Sequence, residues 1–263
     1  MKKIIVKLAL VGSMACASQS VFAGPAIDPA ADCTGLPSWT ELQSRLASVS
    51  PNQTNNGGFG LNMWATIVNR DGYVCAVAYT GSDRNQQWPG SRIISAQKAN
   101  TANAFSLPGL ALSTANLYTA VQPGGSLFGL QLSNPVDTAA AYAGPAANYG
   151  QETDPLVGKK VGGVNVFGGG LALYNAARTL VGAIGVSGDT SCADHNIAWR
   201  TRHALALDYV TVTSSISGDA SRPDNIVFDV HTVPGLQIGV SAKGWGHPKC
   251  VNTTAANLLP QTN

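Results

Sequence analysis

Charged residues are scarce in this chain. Asp, Glu, Lys and Arg make up 11% of its 263 residues, which is less than half the share usual for soluble domains. Basic residues form no block. Without Lys2, Lys3 and Lys7 near the N-terminus, 13 basic residues face 14 acidic ones. The charge pattern therefore argues against a nucleic-acid-binding surface.

Several motifs of enzymes and cofactor sites are also missing. The sequence has no GxxxxGK[ST] loop and no GxGxxG, so nucleotide binding is not supported. It has no GxSxG, no HExxH and no CxxC pair, which leaves the corresponding hydrolase, zinc and thioredoxin-like sites without support. No Ser/His/Asp set is recognisable from spacing, so we assign no catalytic residue.

The N-terminus has the pattern of a secretory signal peptide. A basic stretch at 1–7 precedes an apolar run at 8–17 and a small-x-small cleavage site at 21–23. The apolar run is too short to span a bilayer, and we predict no later membrane span. We therefore expect a signal peptide at residues 1–23 and a soluble mature protein that is periplasmic or secreted.

Export changes the interpretation of the cysteines. Cys16 leaves with the signal peptide, and Cys33, Cys75, Cys192 and Cys250 remain. An even number in an oxidising compartment favours disulfides, and four cysteines allow three pairings. We favour Cys33–Cys75 with Cys192–Cys250, because these bonds would tie each terminal arm to the core. The alternative is buried free thiols that pack as small hydrophobes.

Hydrophobic spacing predicts helices at residues 38–49, 91–105 and 113–121 and in the segment that carries His195. It predicts β-hairpins at residues 61–80 and 171–186 and a strand at 225–231. Hairpins separated by helices indicate an antiparallel sheet with helices on its faces, so we expect an α+β fold.

The chain divides into four parts by composition. We expect an extended arm at 24–36 after the signal peptide, a folded domain at 37–215, and a C-terminal extension at 216–263. Residues 134–163, rich in Ala, Pro and Gly, are expected to form a long loop inside the domain.

Four stretches together resemble the GlcG/HbpS-like family, also called the haem-degrading domain family. They are WPGSR at 88–92 with KANTA at 98–102, LSTANLY at 112–118 with QPGG at 122–125, GGGL at 168–171, and VGAIGVSG at 181–188 leading to Asp194. The resemblance implies a profilin- or PAS-like antiparallel sheet of about five strands. It also implies oligomers, and roles in binding haem outside the cell, in two-component signalling or in glycolate or propanediol utilisation.

One predicted helix face carries His195, Trp199 and Arg202, because their spacing places them on the same side. His195 could ligate haem iron, Trp199 could stack on the porphyrin, and Arg202 could pair with a propionate. This chain has His195 where many family members carry a carboxylate. The alternative is structural: Asp194 caps the helix and His195 bonds backbone.

Arg92 and Lys98 lie on the predicted helix at 91–105. Arg92 could bind a ligand carboxylate through two hydrogen bonds, which suits a haem propionate or a small hydroxy acid. The alternative is an ion pair with Asp83, Asp137 or Asp194 that holds helices to the sheet.

Gly169 and Gly170 belong to a glycine run that could cradle an anion with backbone N–H groups. The alternative is steric, because glycine lets a helix approach a sheet closely.

These observations predict an exported haem- or small-ligand-binding protein, acting in haem sensing or scavenging. The ligand would lie near Arg92, Lys98 and His195, with haem as the expected cofactor. We expect a homo-oligomer that does not bind nucleic acid and does not span a membrane. Two alternatives remain: an enzyme that degrades haem or acts on a small 2-hydroxy acid, and an oligomeric structural or interaction protein.

Overall fold

The structure is a computed structural model that describes residues 32–51, 53–213, 215–232 and 239–263. The predicted signal peptide at 1–23 lies outside the described residues, as does most of the arm predicted at 24–36.

Six helices and six strands occur in the described residues. The helices are α1 (Trp39–Val49), α2 (Gln53–Asn56), α3 (Ser91–Phe105), α4 (Leu130–Ser133), α5 (Thr138–Ala141) and α6 (Ser191–Ala204). The strands are β1 (Trp64–Asn69), β2 (Val74–Tyr79), β3 (Gly170–Tyr174), β4 (Leu180–Ser187), β5 (Val230–Thr232) and β6 (Gly239–Ser241).

The central sheet is antiparallel, with the strand order β2-β1-β4-β3. Both predicted hairpins are present, and the α+β architecture is confirmed. The expected count of about five strands is too high, since the described sheet has four. The segment predicted as a strand at 225–231 contributes β5, which pairs with β6 in a separate two-stranded ribbon.

Local signals explain where the first elements begin and turn. Before α1, the Glu41 N–H donates to Ser38 Oγ and the Ser38 N–H donates to Glu41 Oε2, a capping box that satisfies two backbone donors. Between β1 and β2, Asn69 Oδ1 accepts from the backbone N–H groups of Asp71 and Tyr73. Gly72 completes that turn with φ +82°, a value that glycine adopts without strain.

The predicted helix at 113–121 is replaced by two short 3₁₀ segments, Thr114–Leu117 and Thr119–Val121. Asn116 Oδ1 accepts from both the N–H and the hydroxyl of Ser113. Such local side-chain bonds compete with a continuous α-helix.

Helices cover both faces of the sheet. On one face, α3 presents Ala96, Ala99 and Ala102, all fully buried, and the absence of a side chain at Gly185 brings β4 against the backbone of Ser95. On the other face, α1 and α6 bury an apolar cluster that includes Leu42 and Ile197. Small residues therefore set a close approach on the α3 side, and larger ones fill the α1/α6 side.

Residues 134–163 fold against the edge strand β2. The Val74 N–H donates to Lys159 O at 2.9 Å, and the Gly158 N–H donates to Val74 O at 2.9 Å. This segment also carries α5 and the buried Asp154.

The C-terminal extension (residues 216–263) packs along α6. The Trp199 Nε1–H donates to Pro260 O at 2.9 Å, and the Cys192–Cys250 disulfide joins the first turn of α6 to the extension. With Cys33–Cys75, this bond confirms the favoured cysteine pairing. None of the described helices is both long enough and apolar enough to cross a membrane.

Candidate functional site

A cleft of about 180 Å³ opens where α3 and α6 begin. Two aromatic side chains flank it: Trp88 is 52% exposed and Phe167 is 47% exposed. The rest of the lining is Ile94 and six polar side chains, which are Ser91, Lys98, Ser187, Asp189, Ser191 and Asp194.

The N-terminal ends of two long helices meet at the cleft. Ser91 is the first residue of the 15-residue α3, and Ser191 is the first residue of the 14-residue α6. The residue before α3, Gly90, forms no side-chain cap, whereas Thr190 caps α6 by accepting from the Ala193 N–H. The positive ends of both helix dipoles therefore point toward the cleft.

Lys98 and Asp194 form a buried ion pair beside the cleft. The Lys98 Nζ lies 2.7 Å from Asp194 Oδ2, and the side chains are 1% and 3% exposed. Nζ also donates to Val186 O at 3.1 Å. Burial lowers the pKa of Lys98, and burial raises the pKa of Asp194 to about 6 despite its partner.

Backbone N–H groups offset the negative charge of Asp189, the second carboxylate of the cleft. Asp189 accepts from the N–H groups of Phe59 at 2.9 Å and Leu61 at 3.0 Å, and also from that of Thr190. These bonds tie the loop before β1 to the start of α6.

Ser191 and His247 form a hydrogen-bonded pair that sequence reasoning missed. Ser191 Oγ lies 2.7 Å from His247 Nε2 and accepts from the Gly168 N–H at 2.7 Å. His247 Nδ1 lies 2.7 Å from Pro248 O. Because a carbonyl oxygen can only accept, Nδ1 carries the proton and Nε2 accepts from the serine hydroxyl. Burial lowers the pKa of His247 to about 4, so the ring is neutral at neutral pH.

His195 lies beneath the C-terminal extension. It is fully buried, and its Nε2 is 3.1 Å from Asn225 Oδ1. Its Nδ1 has no hydrogen-bond partner within the described part of the chain. Burial lowers the pKa of His195 to about 4. The structural alternative is right in one part, since the Ile226 N–H donates to His195 Nε2 at 3.2 Å. It is wrong in the other part, since Thr190 rather than Asp194 caps α6.

Arg202 lies on the same face of α6 and pairs with the extension. Its guanidinium is 2.6 Å and 2.9 Å from the two carboxylate oxygens of Asp224, and both side chains are fully buried. It also donates to Ala172 O at 3.1 Å and lies 4.5 Å from the Trp199 ring. The side chains of His195, Trp199 and Arg202, which share one face of α6, thus contact other parts of the protein.

Arg92 points away from the cleft. It donates to both carboxylate oxygens of Asp154 and to Ala141 O, and its guanidinium carbon lies 3.6 Å from the centre of the Tyr149 ring. The partner is Asp154 rather than Asp83, Asp137 or Asp194. Of the cations singled out in the sequence, Lys98 is therefore the one that lines the cleft.

Gly169 and Gly170 are packed against neighbouring backbone. Gly169 has φ +118°, and an added Cβ would press on Val186 O and approach Lys98 Nζ at 3.2 Å. A Cβ at Gly170 would press on the carbonyl of Lys98, and its N–H donates to Thr114 Oγ1 at 2.9 Å. These contacts support the steric interpretation, and a ligand-binding role for the two glycines stays a prediction.

One cluster among the described residues has the composition of a metal site. Ligand atoms of Cys192, His247 and Cys250 lie within 4.8 Å of one another. Both sulfurs belong to the Cys192–Cys250 disulfide, which leaves the histidine as the remaining donor.

Comparison with known proteins places all four strands of the central sheet within one family match. The family described as haem degrading protein HbpS-like matches residues 49–202, more than half of the chain. No curated protein matches the sequence.

Three solved structures are similar to this chain at low sequence identity. A PduOC:heme complex is 23% identical, covers 63% of this chain and 89% of its own, and has a TM-score of 0.43. Protein ORFY of Klebsiella pneumoniae is 23% identical, with 64% and 90% coverage and a TM-score of 0.42. A double mutant of HbpS from Streptomyces reticuli is 13% identical, with 76% and 98% coverage and a TM-score of 0.39.

Proposed function

The chain belongs to the HbpS-like family of haem degrading proteins, and on that premise we propose that it is an exported protein that binds a carboxylate-bearing ligand in the cleft. Haem and a small 2-hydroxy acid both carry that group. The two disulfides support export, because such bonds persist in oxidising compartments.

The observation that carries the proposal is the meeting of two helix N-termini beside a buried ammonium group. Ser91 and Ser191 begin their helices at the cleft, and Lys98 lines it. Lys98 has three N–H donors, of which Asp194 and Val186 take two. The third has no acceptor among the described residues and can donate to a carboxylate oxygen, whose negative charge the helix dipoles favour.

The size of the cleft decides how each ligand would fit. Its volume of about 180 Å³ is below the roughly 300–1,000 Å³ of pockets that enclose drug-sized ligands. A small acid would be enclosed. A haem would insert one propionate edge, while its macrocycle packs against the exposed faces of Trp88 and Phe167.

Haem bound in this way would not contact His195. That ring is fully buried beside Asn225, so iron ligation by His195 stays a prediction that requires the extension to move. The two modes differ in the expected behaviour of His195→Ala: haem affinity is retained in the cleft mode and lost in the ligation mode.

Titration of the mature protein with hemin, followed by the Soret band, tests the proposal. We expect a saturable shift of the Soret band. Trp88→Ala should weaken the affinity for hemin by about ten-fold, which corresponds to about 1.4 kcal/mol. Leu107→Ala is the control, because Leu107 is 54% exposed and lies outside the cleft. The affinity of this variant for hemin should equal that of the wild type.

Calorimetry with lactate and glycolate distinguishes the two ligand classes. Binding of a small acid without binding of hemin would assign the cleft to 2-hydroxy acids. If neither hemin nor either acid binds, the proposed function is wrong.

We also propose a periplasmic or secreted location and a homo-oligomeric state. Phe128 and Leu132 line one groove and are 64% and 86% exposed, and adjoining exposed apolar side chains are typical of surfaces that contact a partner. Light scattering of the mature chain measures the oligomeric state.

A further inference from the structure

Ser191 has the surroundings of a nucleophile. It is the first residue of α6, its partly exposed side chain lines the cleft, and its hydroxyl donates to His247 Nε2 across 2.7 Å. Nucleophilic catalysis by serine needs a base within about 2.6–3.2 Å, on the side where a substrate can approach.

The base is held in one orientation. His247 Nδ1 donates to Pro248 O, the ring packs 4.8 Å from that of Tyr118, and the side chain is 2% exposed. The Cys192–Cys250 disulfide fixes the two segments beside each other. A backbone carbonyl thus does for this histidine what an orienting carboxylate does in a catalytic triad.

Negative charge on the serine oxygen or on a bound carbonyl would be stabilised. The Gly168 N–H donates to Ser191 Oγ at 2.7 Å, and the helix dipole of α6 acts at the same position. Lys98 lines the same cleft. Its remaining N–H donor can bind the oxyanion of a tetrahedral intermediate.

We propose that Ser191 and His247 are a catalytic nucleophile and base, and that the cleft hydrolyses small carboxylic esters. This activity goes beyond ligand binding and does not depend on haem. The volume of the cleft admits a short acyl chain, and Trp88 and Phe167 provide apolar contact for an aryl or alkyl leaving group.

The reaction uses water as the second reactant. Ser191 Oγ forms a bond to the ester carbon while its proton passes to His247 Nε2. The imidazolium then donates that proton to the leaving alcohol as the ester C–O bond breaks, which yields an acyl-serine. Water attacks the acyl carbon, and His247 Nε2 takes a proton from the water. The bond between the acyl carbon and Ser191 Oγ then breaks as Nε2 returns a proton to Oγ, which releases the carboxylic acid.

The test uses the mature, disulfide-bonded protein with two probes, 4-nitrophenyl acetate and a fluorophosphonate. We expect ester hydrolysis and covalent labelling of Ser191 by the fluorophosphonate, located by peptide mass mapping. Ser191→Ala should abolish the labelling and reduce the hydrolysis rate at least 100-fold, in line with the contribution of about 10²–10⁴ made by positioned acid–base groups.

Ser48→Ala is the matched control, since Ser48 is an exposed serine outside the cleft and its Oγ bonds Arg45 O at 2.7 Å. It should keep both the label and the rate. His247→Gln should lose the rate while retaining its thermal unfolding midpoint.

The wild-type protein alone can overturn the proposal, whether or not the variants fold. Absence of fluorophosphonate on Ser191, together with hydrolysis no faster than that of Ser191→Ala or buffer, would refute it. Hemin or small-acid binding is measured separately, so failure of one proposal leaves the other standing.

Discussion

Replacing Asp224 by Asn should destabilise the protein strongly. Arg202 and Asp224 are both fully buried and share two hydrogen bonds of 2.6 Å and 2.9 Å. Without the carboxylate, the guanidinium stays buried and uncompensated, which costs about 3–5 kcal/mol. In a chain of this size, 1 kcal/mol moves the thermal midpoint by about 2–4 °C, so we expect a fall of roughly 6–20 °C.

Urea unfolding followed by tryptophan fluorescence gives the free energy directly. The matched control is Asp219→Asn, because the Arg222–Asp219 pair is spaced similarly, at 2.9 Å, but its side chains are 14% and 42% exposed. Solvent screening limits that pair to about 1 kcal/mol or less.

A loss for Asp224→Asn that matches the loss for the control would refute the reasoning from burial. A second comparison checks the cause. Replacing both partners, with Arg202→Met and Asp224→Leu, should recover most of the stability lost in the single variant, because no charge is then left buried.

Two further predictions concern the disulfide and the buried histidines. Replacing Cys192 and Cys250 by Ala should lower the free energy of unfolding, measured in urea, by about 4 kcal/mol, because the disulfide closes a loop between residues 58 apart. A loss below about 1 kcal/mol would contradict this loop-closure account. Burial lowers the folded pKa of His195 from its ordinary 6.5 to about 4. Its contribution to stability is therefore present above about pH 6.5 and is lost as the pH falls through 4. Asp194 acts in the opposite sense, since its raised folded pKa of about 6 makes stability fall as the pH rises from about 4 to 6. Urea midpoints measured from pH 7 to 4 should therefore decline less on acidification in His195→Gln than in the wild type. His231→Gln is the control, because His231 is exposed, and it should decline as the wild type does. Equal slopes in the two variants would contradict the lowered pKa of His195.

Local patterns in the sequence predicted the parts of the fold that depend on neighbours along the chain. The capping box of Ser38 and Glu41 marks the start of α1, and the turn at 69–72 joins the first hairpin. Hydrophobic spacing predicted α3 with its bounds at 91–105. These features were predictable because each is determined within a few residues.

Most partners of the buried polar groups could not be predicted in this way, although Asp194, which pairs with Lys98, was among the three acidic partners considered from the sequence. Arg92 pairs with Asp154 across 62 residues, and Ser191 bonds His247 across 56. No spacing rule relates residues so far apart, since only the folded path of the chain brings them together.

Solvent exposure was equally hidden from the sequence. Helical spacing placed His195, Trp199 and Arg202 on one face, and they do contact one another along α6. Spacing cannot tell whether such a face meets a ligand or another part of the chain. Here it meets the C-terminal extension at residues 224 and 225.

The C-terminal extension completes side-chain pairs that begin inside the family match. The match to the family ends at residue 202, whereas the partners of His195, Arg202 and Ser191 follow at Asn225, Asp224 and His247. The matched residues thus carry one half of each pair, on α6, and the C-terminal extension carries the other half. Replacing the extension by another segment would therefore remove the proposed base of the cleft and the cover over His195 together, while leaving the four strands of the central sheet unaltered.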